Sequence, residues 1–146
     1  MKYKGSIDIN QSKEKVTALF IDVNNLKEFQ DGFIKKELIE GNAGENGAIS
    51  KMYYKYGKRD MILTETVIEN NLPNSFEASY YHKHMDNTMK CTFTEISDNQ
   101  TRYEYEFEYT RINWFLPKLM SILFPSMYRK QGEKWMQQLK VFAEKQ

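Results

Sequence analysis

The chain holds one cysteine, Cys91, and two histidines, His82 and His84, among 146 residues. A lone thiol excludes any disulfide within the chain and fits a reducing compartment, with Cys91 as a small buried hydrophobe. His82-Lys83-His84 would set both imidazoles on one strand face, but zinc needs three or four ligands and carboxylates would have to supply the rest. No metal and no cofactor is therefore expected. No apolar run approaches the ~18 residues of a membrane span, and "MKYKGSIDIN" lacks the apolar stretch of a secretory leader. A cytoplasmic protein is the expectation. Charge of one sign is also missing, with 21 basic residues against 20 acidic ones. That balance gives no electrostatic footprint for nucleic acid, and pairs such as Lys35-Lys36 read as solvated faces. The sequence has no P-loop, no dinucleotide glycine fingerprint and no Gly-x-Ser-x-Gly elbow.

Aromatic residues are what the chain has in quantity: ten Tyr, nine Phe and two Trp, with eight Met beside them. Rings and thioethers together suit a wide or adaptable apolar interior. They occur in a soluble background, 40% hydrophobic and 28% charged. A chain of this size makes one domain, here residues 1–146, and buries roughly 68–70% of its unfolded surface. The segment "TRYEYEFEYTR" (101–111) shows how the rings are used. Arg102, Glu104, Glu106 and Glu108 fall on one parity, and Tyr103, Tyr105, Phe107 and Tyr109 on the other. A strand that hides four rings, three of them hydroxylated, asks for more than a dry aliphatic core. Each buried hydroxyl left unpaired costs about 1–3 kcal/mol.

Residues 3–9 alternate and predict a first strand. Asn10-Gln11-Ser12 then supplies helix-capping chemistry before the apolar face of Val16, Leu19 and Phe20. A second short helix is expected over 26–30. From 33 to 110 the period is two throughout, and turn residues divide it into strands at 33–41, 48–56, 61–69, 75–83, 88–97 and 101–110. Short connections imply an antiparallel meander. After Arg111 the period becomes helical through Leu116, Met120, Leu123, Met127, Trp135, Leu139 and Phe142. Pro125 falls inside that pattern and should break it, giving helices at about 113–123 and 126–145.

The order is strand, two short helices, six strands, long helix. It predicts an α+β fold in which a curved seven-stranded antiparallel sheet wraps a C-terminal helix. The stretches "IDINQSKEKVTALFIDVNNLKEF", "ETVIENNLPNSF" and "FPSMYRKQGEKWMQQLKVFAE" make the chain resemble the START-like, helix-grip superfamily called SRPBCC, in its polyketide-cyclase and lipid-transfer branch. Ser12 stands where relatives often carry proline, a departure that touches helix initiation alone. The resemblance implies an internal cavity for a lipid, quinone or polyketide-like molecule, with no universal catalytic motif.

Parity then selects the candidate lining: Met52, Tyr54, Tyr80, His82, Phe93, Tyr105 and Phe107 from the strands, with Met120, Leu123 and Met127 from the helical tail. Glu65 joins them if Met61, Leu63 and Val67 face inward. The opposite parity of that strand, Ile62, Thr64, Thr66 and Ile68, is also apolar enough to be inside. An inward Glu65 would be a carboxylate in apolar surroundings, a setting suited to acid–base work. "INWFLPKLMSILFP" reads as cavity wall, or as a surface for transient membrane contact without stable insertion. A monomer or weak homodimer is expected.

Three functions follow: a non-enzymatic carrier of a hydrophobic small molecule, a cyclase or dehydratase using the same cavity, and a co-chaperone-like protein-binding module. A sealed apolar pocket would favour the first, and a buried carboxylate beside a tyrosine the second. A filled interior with an exposed apolar patch would favour the third.

Overall fold

The computed structural model describes residues 2–83, 85–112 and 125–146 and, within them, the side chains of all but residues 112 and 125–128. Its elements are β1 (Lys2–Ile9), α1 (Lys13–Ile21), a 3-10 turn (Val23–Asn25) and α2 (Leu26–Phe29). There follow β2 (Phe33–Glu40), β3 (Ile49–Tyr56), β4 (Arg59–Asn71), β5 (Ser75–His82), β6 (Met85–Ser97), β7 (Gln100–Ile112) and α3 (Pro125–Glu144). The strands form one antiparallel sheet in the order β1-β7-β6-β5-β4-β3-β2. With α1 and α2 after β1 and a long helix at the end, this is a helix-grip fold.

Local chemistry accounts for most of these elements. Ser12 caps α1, its Oγ accepting from the Lys15 N–H, which satisfies one of the donors that a helix start leaves open. Gly57 (φ +62°) closes the β3–β4 hairpin, where Tyr56 pairs with Arg59. Two-residue hairpin turns favour glycine at this position because φ must be positive. Pro125 is the first described residue of α3, which runs on to Glu144. The expected helix at 113–123 lies outside the described residues. β6 also starts earlier than turn chemistry implied. Asp86 and Asn87 are strand residues, paired with Tyr81 and Tyr80, because the ladder continues into what looked like a loop.

One end of the gripped space is solid. Phe20 of α1 packs edge-on against Phe76 and Phe93, at 5.8 and 5.2 Å between ring centroids. Ile9, Val16, Leu26, Phe29, Cys91 and Tyr103 complete this plug. The hidden stripe of α3 centres on Leu139 and Ala143, both buried, with Trp135, Met136 and Phe142 half-buried at its margins. That spacing is one face of a 3.6-residue period. Tyr105 shows how closely helix and sheet approach. A Cβ on Gly5 of β1 would lie 2.2 Å from its ring, and one on Gly132 of α3 would lie 2.7 Å from its hydroxyl. Two glycines thus give one tyrosine the space between strand and helix.

Candidate functional site

Cross-strand register places a polar row on the hidden face. Ser50 of β3 pairs with Glu65 of β4, Glu65 with Tyr80 of β5, Tyr80 with Asn87 of β6, and Asn87 with Tyr109 of β7. The parallel row nearer the plug is apolar, running Val67, Ala78, Met89, Phe107. Inward Glu65 is therefore settled. It is 4% exposed, whereas Ile62 and Ile68 of the competing parity are 48% and 45% exposed.

Among the described residues Glu65 has two partners. The Tyr80 hydroxyl donates to Oε2 at 2.8 Å, and the Lys36 ammonium meets Oε1 at 2.7 Å. Lys36 is a correction to the sequence reading, which placed it on a solvated face. A bulge after Phe33 shifts the register, so Phe33 sits opposite Tyr54 and Lys36 opposite Met52. Both then point inward, and Lys36 reaches diagonally across β3 to the carboxylate. A buried carboxylate needs such donors, since desolvation would otherwise drive out its charge. Burial, and then the adjacent Glu65 charge, hold the Tyr80 phenol well above the usual tyrosine range. Tyr80 accordingly stays protonated and serves Glu65 as a hydrogen-bond donor.

The remaining strand candidates divide between packed core and accessible hidden face. Met52, Tyr54, Phe93 and Tyr105 are buried in the core. Tyr54 donates to Gln30 Oε1 at 2.7 Å and stacks on Trp135 of α3, 6.1 Å between centroids, so it ties β3 to α2 and α3. The Tyr105 hydroxyl and the Trp135 indole N–H have no partner among the described residues. Tyr80, His82 and Phe107 keep accessible surface on the hidden face, together with Leu63, Asn87 and Met89. The Asn87 carbonyl is buried and lacks a donor among the described residues. Met120, Leu123 and the Met127 side chain lie outside the described residues, as does His84. Sequence reasoning missed Lys36 and Asn87, one flipped by a bulge and the other mistaken for turn chemistry.

A hollow of about 450 Å³ lies on the opposite face of the sheet, among Lys4, Ser6, Lys90, Thr92, Glu104 and Glu106. Its charges are those of a solvated sheet, and Lys4 already pairs with Glu106. No group of three or more metal-binding side chains occurs among the described residues, and no described helix is long and apolar enough to cross a membrane.

Cys91 is buried in the core on the hidden side of the sheet, its sulfur 3.2 Å from the Tyr103 hydroxyl. Burial pushes the thiol up to about 12 from its ordinary 9.0, against a smaller opposing effect of Tyr103. Its contribution to stability is then full below about pH 9 and is lost as pH rises towards 12, because the unfolded thiol ionises first. In the native protein Cys91 should be inert to a disulfide reagent at pH 8 and react once on unfolding. Rapid labelling of the folded protein would show that the thiol is not sealed.

No protein-family model matches this sequence, and no curated protein matches it. Solved structures do. A conserved protein from Geobacillus kaustophilus superposes with a TM-score of 0.80 at 12% identity, covering 99% of this chain and 96% of that one. The Zhui aromatase/cyclase from Streptomyces sp. R1128 gives a TM-score of 0.80 at 8% identity, with coverage of 99% and 93%. Ara h 8.0201 gives 0.78 at 7% identity over 100% and 99% of the two chains. At these identities the likeness is one of fold, and the helix-grip architecture is common to all of them.

Proposed function

We propose that this protein binds a hydrophobic small molecule between the sheet and α3, on the accessible stretch of the hidden face. The observation that carries this reading is the row Glu65, Tyr80, Asn87 set beside the apolar row Ala78, Met89, Phe107. Small-molecule sites are mostly apolar with a few placed polar groups, and a core built for stability alone would have no use for the polar row. Lipid, quinone and polyketide-like molecules all fit that description. Cys91 as a free thiol accords with a cytoplasmic setting.

One observation favours a second reading, a cyclase or dehydratase. Glu65 is a buried carboxylate hydrogen-bonded by a tyrosine, an acid–base pair in outline, and one structural neighbour is an aromatase/cyclase. We rank binding first because the carboxylate already holds both Tyr80 and Lys36. To take a proton from a substrate it would have to release one of them.

The test is titration with Prodan, a neutral naphthalene ketone dye whose emission shifts to the blue on leaving water. Saturable binding with one dye per chain is expected, weakened at least tenfold by Leu63→Trp, which fills the accessible face. A strictly linear, non-saturating signal would overturn the reading.

A further inference from the structure

We infer that the Lys36–Glu65 pair is a charge filter: the site admits an uncharged apolar ligand through a carbonyl or hydroxyl group and turns away the corresponding carboxylate. This inference rests on the ligand-binding reading. It starts from hydrogen-bond capacity. The Lys36 ammonium has three N–H donors, and among the described residues its one ion-pair partner is Glu65. Its remaining donors are available to an oxygen acceptor. The Tyr80 hydroxyl donates to Glu65 and keeps lone pairs, and the buried Asn87 carbonyl lacks a donor among the described residues. The row therefore offers both donors and acceptors to one end of a ligand.

Charge decides which ligand profits. A lone lysine in an apolar site would draw in a carboxylate. Here Glu65 sits 2.7 Å from that lysine, with side-chain exposures of 19% and 5%, so the pair has no net charge to offer. An entering carboxylate would lose its hydration, gain a cation already neutralised and meet a second carboxylate at short range. Like charges at such distances in a partly dry site repel strongly. A neutral ketone gives up far less hydration and can still accept from Lys36.

The experiment uses a matched pair, methyl naphthyl ketone and naphthoate at pH 7, each displacing Prodan from the full chain. The wild type should bind the ketone at least tenfold more tightly than naphthoate. Glu65→Gln keeps a side chain of similar shape, removes the negative charge and leaves Lys36 uncompensated, so the preference should narrow or invert. Equal or tighter binding of naphthoate by the wild type would overturn the filter while leaving the ligand site standing. Failure of the wild type to bind Prodan or either naphthalene would sink the ligand reading, and the filter with it. An unchanged preference in folded Glu65→Gln would also overturn the filter, because any apolar site disfavours a carboxylate and the pair would then add nothing.

Discussion

Ending the chain after Arg129 is expected to abolish cooperative unfolding. The segment removed carries Trp135, Met136, Leu139, Phe142 and Ala143, which pack on the core cluster, and α3 rests on β1, α1 and α2. Leu139 alone is 1% exposed, and truncating a buried leucine to alanine costs about 2–5 kcal/mol. Several such losses exceed the ~5–15 kcal/mol by which domains of this kind are stable. The hydrogen bonds that close the fold would go too, among them Lys140 Nζ to the Asp8 carbonyl at 2.6 Å and Gln138 Nε2 to Asp31 Oδ1 at 2.9 Å. Calorimetry of the truncated chain should show no heat-absorption peak, whereas Leu139→Ala should keep a peak at lower temperature. A truncated protein melting cooperatively near the full-length temperature would mean that the sheet and plug are stable alone.

The second large effect concerns the buried ion pair, and it should be asymmetric. Lys36→Met leaves Glu65, 5% exposed in its side chain, with Tyr80 as its sole remaining partner among the described residues. Stranding a buried charge costs about 3–5 kcal/mol. Glu65→Gln leaves a lysine that is 19% exposed on the edge strand β2. Its ammonium is already partly solvated where it stands, so about 1–3 kcal/mol is expected for the lost charge-assisted bond. The double variant should cost clearly less than the sum, since neither charge is then left alone. Urea denaturation of the four proteins measures the cycle. Additive losses would show that the two groups do not interact energetically, whatever their separation.

Much of this architecture was legible in the one-dimensional pattern. A period of two from 33 to 110 and a helical period near the end allow few arrangements other than a meander closed by a helix. Tyr103, Tyr105 and Phe107 were assigned to the hidden face by alternation alone, and the ladder with β1 and β6 keeps them in that parity. Trp135 and Leu139 fall on the buried stripe of α3 because helical spacing leaves them no other face. These features depend on local periodicity, which each segment carries in its own residues.

The buried polar row was decided elsewhere. Alternation cannot count through a bulge, and bulges after Phe33 and Val67 and beside Asn87 shift the strands. The first turns Lys36 inward, and the third keeps Tyr109 inside while Arg111 turns out to pair with Asp86. Nor could alternation choose between the two apolar parities of β4, since both Glu65 and Ile62 were eligible. That choice belongs to the sheet as a whole. Glu65 lies inside because its neighbours on β2 and β5 bring an ammonium and a phenol to its two oxygens, and no residue within β4 carries that information. The sequence by itself determined which faces exist and how the elements follow one another. Tertiary structure alone decided which charges meet between them, because a buried charge is tolerable where distant strands supply its partners and nowhere else.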